Sequence, residues 1–129
     1  MAVLIDSSVW VDYFRNPRSR FRTEVDRLLR ANDAVVVGVV YAELLRGART
    51  SDEFNWFRDH FSQVRFDDST AEIWERAGFL LFQLRRTGSE IPFPDAVIAA
   101  HALHEDHALL TTDEHFKRVS GLRMHEVRP

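Results

Sequence analysis

The chain has 129 residues, 45% of them hydrophobic, a formal net charge of -3 and no cysteine. Length and composition suit one domain with a real core, expected to span residues 1–129. Disulfides and thiolate metal sites are excluded, and no apolar run approaches the ~20 residues that cross a bilayer. Mild acidity argues against a bulk phosphate binder. The basic side chains are, however, nearly all arginine, with Lys117 the one lysine, and the guanidinium fork suits phosphate better than an ammonium does.

Met1-Ala2-Val3-Leu4-Ile5-Asp6 has no basic region or small-residue cleavage site. It reads as a first strand over Val3-Leu4-Ile5 and not as a signal peptide, and a cytoplasmic location is expected. Ser7 or Ser8 can cap a helix running through Trp10 and Phe14. Asn16-Pro17 reads as N-cap and first residue of a second helix, with Phe21, Val25, Leu28 and Leu29 on its buried face. Asn32-Asp33 breaks the chain before a strand at Ala34-Val35-Val36-Val37, punctuated by Gly38. Val40, Tyr41, Leu44 and Leu45 give a helix ending near Gly47. Ser51 with Phe54, Phe57 and Phe61 suggests another, and Val64-Arg65-Phe66 a short strand. Ser69 and Glu72 have capping-box spacing ahead of a long amphipathic helix through Ile73, Ala77, Leu80, Leu81 and Leu84, closed by Gly88. Pro92 and Pro94 are expected to keep the chain extended until a helix starts near Asp95 and buries Val97, Ile98, Ala102 and Leu103. A strand at Ala108-Leu109-Leu110-Thr111, a short helix around Phe116 and an edge strand from Leu122 to Val127 complete the chain. Strands alternating with helices predict an α/β fold, a three-layer α/β/α domain with a central, mostly parallel sheet.

Four carboxylates fall at telling places. Asp6 ends the first strand, Glu43 lies in the first turns of the helix after the second, Asp95 opens a helix, and Asp113 lies just past the fourth strand. Ligands of open parallel sheets bind beyond the carboxyl ends of the strands, so all four are expected at one edge. Taken singly, an acid in a first helical turn has an ordinary reading, because it offsets the partial positive charge there. Asp6 stands apart, since it closes a buried strand, where an ionised group needs a partner. Crowded carboxylates repel one another unless a cation balances them. Oxygen ligands without cysteine select hard ions, Mg2+ or Mn2+. Such a site can activate water for attack on a phosphodiester.

Four blocks resemble the PIN-domain nucleases, and within them the VapC-type toxins of bacterial toxin–antitoxin pairs: Leu4-Ile5-Asp6-Ser7-Ser8-Val9-Trp10, Tyr41-Ala42-Glu43-Leu44-Leu45-Arg46-Gly47, Pro94-Asp95-Ala96-Val97-Ile98-Ala99-Ala100 and Leu110-Thr111-Thr112-Asp113-Glu114-His115-Phe116. Each is a weak pattern alone; together, in order and spacing, they cover essentially the whole chain. The resemblance implies a magnesium-dependent endoribonuclease toxin with an RNA substrate, a homodimer silenced by a small antitoxin protein. It implies metal binding by Asp6, Asp95 and Asp113, with Glu43 completing the cluster, and supporting roles for the hydroxyls of Ser7 and Thr111. Local capping explains those two hydroxyls equally well.

Other features carry less. His101, His104 and His107 recur beside Asp106, and helical spacing puts His101 and His104 on one face. A zinc site is conceivable there, against the commoner surface or capping role. His115 follows Asp113 closely enough to reach a substrate. Phe54, Trp56, Phe57, Phe61, Trp74 and Phe82 read mostly as core, with a surplus for burial against a second subunit or antitoxin. Arg15, Arg18, Arg20 and Arg22 form either a solvated helix end or a nucleic-acid contact. Two alternatives share the acidic pocket: a DNA-directed nuclease, and a receiver-like magnesium-binding signalling module, which needs a lysine near the last strands.

Overall fold

The strands are short, apolar and aligned. A computed structural model of the chain describes residues 1–127. Strands β1 (Val3–Ile5), β2 (Ala34–Val37), β3 (Arg65–Asp67) and β4 (Ala108–Leu110) form one sheet of order β3-β2-β1-β4. Every ladder is parallel: Leu4 sits opposite Val35 and Leu109, and Val36 opposite Phe66. Strands β1, β2 and β4 are buried along their whole length, as continuous apolar runs covered on both faces must be. Each fully buried Leu, Ile or Val contributes about 1.5–3 kcal/mol by leaving water. The edge strand β3 carries Arg65 and Asp67 and is largely exposed, which discourages pairing with another chain.

Among the described residues, six α-helices surround the sheet as the expected three-layer α/β/α fold: α1 (Ser7–Arg15), α2 (Arg22–Arg30), α3 (Gly38–Arg46), α4 (Ser51–Phe61), α5 (Ala71–Arg86) and α6 (Phe93–Glu105), with a 3-10 turn at Glu114–Arg118. Trp10 is fully buried and stacks on Phe14 while Phe61 meets it edge-on. Helix α5 packs on α6 through Ile73, Ala77, Val97 and Ala100. At Gly88 the backbone turns left-handed, φ 73°, ending α5 where only glycine is unstrained.

Several boundaries differ from the sequence reading. Helix α1 is capped not by Ser7 or Ser8 but by Asp6, whose side chain accepts from Ser7 N. The Asn16-Pro17 pair does not start α2. Asn16 Oδ1 accepts from Arg18 N at 3.0 Å, and this local turn delays the helix to Arg22. Thr70, not Ser69, caps α5. Helix α6 begins at Phe93, with Pro94 in its first turn, where a missing N–H costs no helical bond. Thr111 lies outside β4, whose last residue is Leu110.

Among the described residues the expected last strand does not form. Residues 122–127 keep one bridge, Met124 beside Leu109, with His125 N donating to Leu109 O at 2.7 Å. The flanking side chains are drawn elsewhere, His125 to Glu24 and Arg123 to Asp106.

Candidate active site

Strand order places the pocket. From β1 the chain moves to β2 and β3 on one side, then returns to β4 on the other. The crevice beyond β1 and β4 is therefore the point where the connections diverge, the usual ligand position of a parallel sheet. Asp6 leaves β1 there and Asp113 follows β4.

Asp6 is 5% exposed, and both of its carboxylate oxygens accept hydrogen bonds. Its Oδ1 accepts from Ser7 N at 2.8 Å, and its Oδ2 from Ser8 Oγ at 3.0 Å and Thr111 Oγ1 at 2.7 Å. Thr111 Oγ1 in turn accepts from Asp113 N at 3.0 Å, and Ser8 Oγ accepts from Thr112 N at 3.2 Å. A β1 acid and the chain beyond β4 are thus locked in register by two hydroxyls.

Glu43 reaches the same crevice from α3, accepting from Ser7 Oγ at 3.4 Å. Burial raises its pKa first, and the charges of Asp6 and Asp95 raise it further, against smaller opposing pulls from Ser7 and Arg46. Asp95, in the first turn of α6, is also raised. Burial is the main cause, a bond from His115 opposes it, and Asp113 and Asp6 add to it. Asp113 caps the 3-10 turn by accepting from His115 N at 2.9 Å. The His115 ring lies across the mouth, Nδ1 at 3.2 Å from Asp95 Oδ2 and 2.9 Å from Asp113 Oδ1. Asp95, Asp113 and His115 each bring one ligand atom within 4.8 Å of the others.

All four sequence-predicted acids therefore meet in one pocket, and each raised carboxylate feels at least two of the others. Shared negative charge in a half-buried pocket of oxygen donors suits a hard divalent cation.

A model of the PIN domain matches residues 3–122. The chain belongs to the PIN-domain family.

The fold of this PIN domain is shared by solved structures of low identity. VapBC2 from Rickettsia felis, bound to a DNA fragment from its promoter, superposes with a TM-score of 0.84 at 23% identity, covering 97% of this chain and 98% of that one. VapBC-1 from nontypeable Haemophilus influenzae gives 0.82 at 22%, covering 98% of each chain. VapC20 from Mycobacterium tuberculosis, a sarcin-ricin loop cleaving toxin, gives 0.72 at 21%, covering 99% of this chain and 100% of that one. No curated protein matches the chain by sequence.

Two contacts in this PIN domain's pocket escaped the sequence reading. Ser8 was legible only as an alternative cap, yet it bonds Asp6 directly. His115 was legible as a neighbour of Asp113 but not of Asp95, which is 20 residues away. The basic segment divides: Arg15 pairs with Glu53 at 2.8 Å and Arg22 donates to Tyr13 O, whereas Arg18 and Arg20 line a cleft of about 440 Å³ with Ser8 and Thr112, beside the acids.

The aromatic residues are less internal than expected. Phe57 and Phe61 are buried, but Phe54, Trp56, Trp74 and Phe82 are between 39% and 53% exposed. The histidines also sort differently. His104 lies near Glu72 at 3.5 Å, while His101 and His107, expected at the surface, are buried.

Proposed function

We propose that the chain is a divalent-metal-dependent endoribonuclease, the VapC-type toxin of a toxin–antitoxin pair, acting in the cytoplasm as a single domain. The observation that carries this reading is the convergence of Asp6, Glu43, Asp95 and Asp113 from four separate elements onto the crevice between β1 and β4.

Asp6, Asp95 and Asp113 are the proposed ligands of Mg2+, or Mn2+, with Glu43 as the fourth acid. A bound divalent ion supplies a Lewis acid for the phosphodiester and an acidified water as nucleophile. The protein contributes placement and proton handling. Thr111 and Ser8 fix one Asp6 oxygen, and Ser7 N fixes the other, so the carboxylate meets an incoming cation in a preset orientation. Ser7 Oγ holds Glu43. The raised pKa of Glu43 suits a group that takes a proton from attacking water. Arg18 and Arg20 in the adjoining cleft suit the RNA backbone, since guanidinium groups bind phosphate by paired hydrogen bonds.

An antitoxin partner and a homodimer belong to the same proposal. The relatives solved as VapBC complexes support the first. Exposed Trp74, Phe79, Phe82 and Phe93 provide apolar surface for either contact. The receiver-like alternative loses its support, because Lys117 pairs with Glu114 at 2.6 Å with both side chains at least 70% exposed.

The test is direct. Purified protein incubated with total RNA and with single-stranded DNA of matched length should cut the RNA at defined positions in Mg2+ or Mn2+. Cutting should stop with a chelator and return with the metal. Cleavage of DNA alone favours the DNA-directed nuclease. No cleavage of either, with metal present and the protein folded, defeats the proposal.

A further inference from the structure

A second group of ligand-type side chains lies apart from the acids. Asp67 ends β3, His101 is on the second half of α6, and His107 immediately precedes β4. His107 thus enters the strand that Asp113 leaves. His101 is 0% exposed and His107 7%. Both rings turn Nε2 toward one oxygen, Asp67 Oδ2, at 3.5 Å from His101 and 2.9 Å from His107. The rings stack, centroids 6.2 Å apart and 29° between planes. The far nitrogen of His101, Nδ1, is 3.1 Å from Ser69 Oγ.

We propose that Asp67, His101 and His107 form a site for a transition-metal ion of the zinc type, held by one carboxylate oxygen and two imidazole Nε2 atoms, independent of the acidic pocket. Spacing is the first argument. Zinc–ligand bonds of about 2.0–2.1 Å in a tetrahedron put neighbouring ligand atoms roughly 3.3 Å apart, and the two nitrogen–oxygen separations bracket that figure. All three ligand atoms already lie within 4.8 Å of one another, so small side-chain rotations suffice.

Chemistry is the second argument. Imidazole with carboxylate selects zinc and its neighbours over magnesium. Without the ion, each Nε2–H donates to Asp67. With it, each Nε2 lone pair turns to the metal and the ring proton moves to Nδ1. For His101, Ser69 Oγ is placed to accept a hydrogen bond from that Nδ1–H, and such outer hydrogen bonds orient histidine ligands. Arg65 Nε, 3.0 Å from Asp67 Oδ1, holds the other carboxylate oxygen and leaves Oδ2 for the ion. Three protein ligands leave the fourth position to water.

Full-length protein, and a form carrying Asp95→Asn and Asp113→Asn to disable the acidic pocket, are stripped with a chelator, given zinc chloride alone and passed over a desalting column. Both should retain about one zinc per chain. Cobalt(II) in place of zinc should give the intense visible bands of a tetrahedral site. Tm should rise by about 5 °C or more with zinc. Adding His107→Gln, which keeps a donor for Asp67, should cut retained zinc at least tenfold and abolish the cobalt bands. Asp67→Asn serves as the second variant, with the same expectation, should His107→Gln not fold. No retained zinc in the parent chain, or undiminished retention in a folded His107→Gln or Asp67→Asn chain, overturns the proposal.

Discussion

Two carboxylate environments in this PIN domain start from the same physical condition and end opposite. Asp95 and Asp67 have side chains 13% and 15% exposed, and burial pushes both pKa values up. Asp95 stays up because its other neighbours include Asp113 and Asp6. Asp67 goes down because bonds from His107, Arg65 and His101 outweigh the burial. Burial therefore sets the size of the electrostatic problem, and the identity of the neighbours decides its sign. A pocket whose neighbours add negative charge needs a cation to balance it; a cluster whose neighbours already balance its carboxylate holds together without one and would take the proposed ion through its imidazole nitrogens.

The sharpest way to break this contrast is Asp6→Asn. The amide keeps the shape and removes the charge at the centre of the hydroxyl network, so RNA cleavage should fall about 100-fold or more, beyond the loss expected from a supporting residue. The circular-dichroism spectrum should stay unchanged. Full activity in that variant refutes a metal role for Asp6.

Next in size is Thr111→Val, which removes the bond that orients Asp6 and leaves Asp113 N without its acceptor. Cleavage should drop about 10–100-fold, with Thr111→Ser restoring most of it. Equal activity in the valine variant would show that the hydroxyl is local capping only.

The smallest effects test sign. Glu43 has a folded pKa raised above the ordinary 4.5. Its contribution is complete below that value and is lost as pH rises through the folded pKa. Glu43→Gln should therefore raise Tm by about 2–4 °C at pH 7 and by nothing near pH 3. Asp67 has a folded pKa below the ordinary 3.8, so its stabilisation is present above that value and fades as pH falls through the folded pKa. Asp67→Asn should lower stability at pH 7 by about 1–3 kcal/mol, the scale of buried partners left unmet, with the deficit shrinking on acidification. Thermal melts in low-salt buffer at both pH values read the two together. Shifts of the same sign at pH 7 would contradict the contrast drawn above.

Much of the fold was legible because its signals are local. Val3 to Ile5, Ala34 to Val37 and Ala108 to Leu110 are apolar runs too short for a helix, each followed at once by a polar residue or glycine. Asp6 closes such a run, Asp95 lies in the first turn of α6 and Asp113 follows β4, whereas Glu43 lies inside α3 and was legible through the block from Tyr41 to Gly47. Where the reading failed, a side-chain hydrogen bond decided, once from a local partner and once from a remote one. Asn16 could start a helix or close a turn, and the turn prevailed through its own side chain. Residues 122–127 had strand-like composition, but partners as remote as Glu24 took His125.

The sequence by itself determined the parallel α/β plan and the four acidic positions, because hydrophobic period, strand length and the rule that ligands gather at the carboxyl ends of strands all act over short stretches of chain. Only the tertiary structure decided that Ser8 and Thr111 share one oxygen of Asp6, that His115 spans Asp95 and Asp113, and that His101 finds His107 and Asp67 and not His104. Those pairings depend on the angle at which α6 crosses the sheet and on where β4 returns beside β1. No pattern within a few residues encodes such distances.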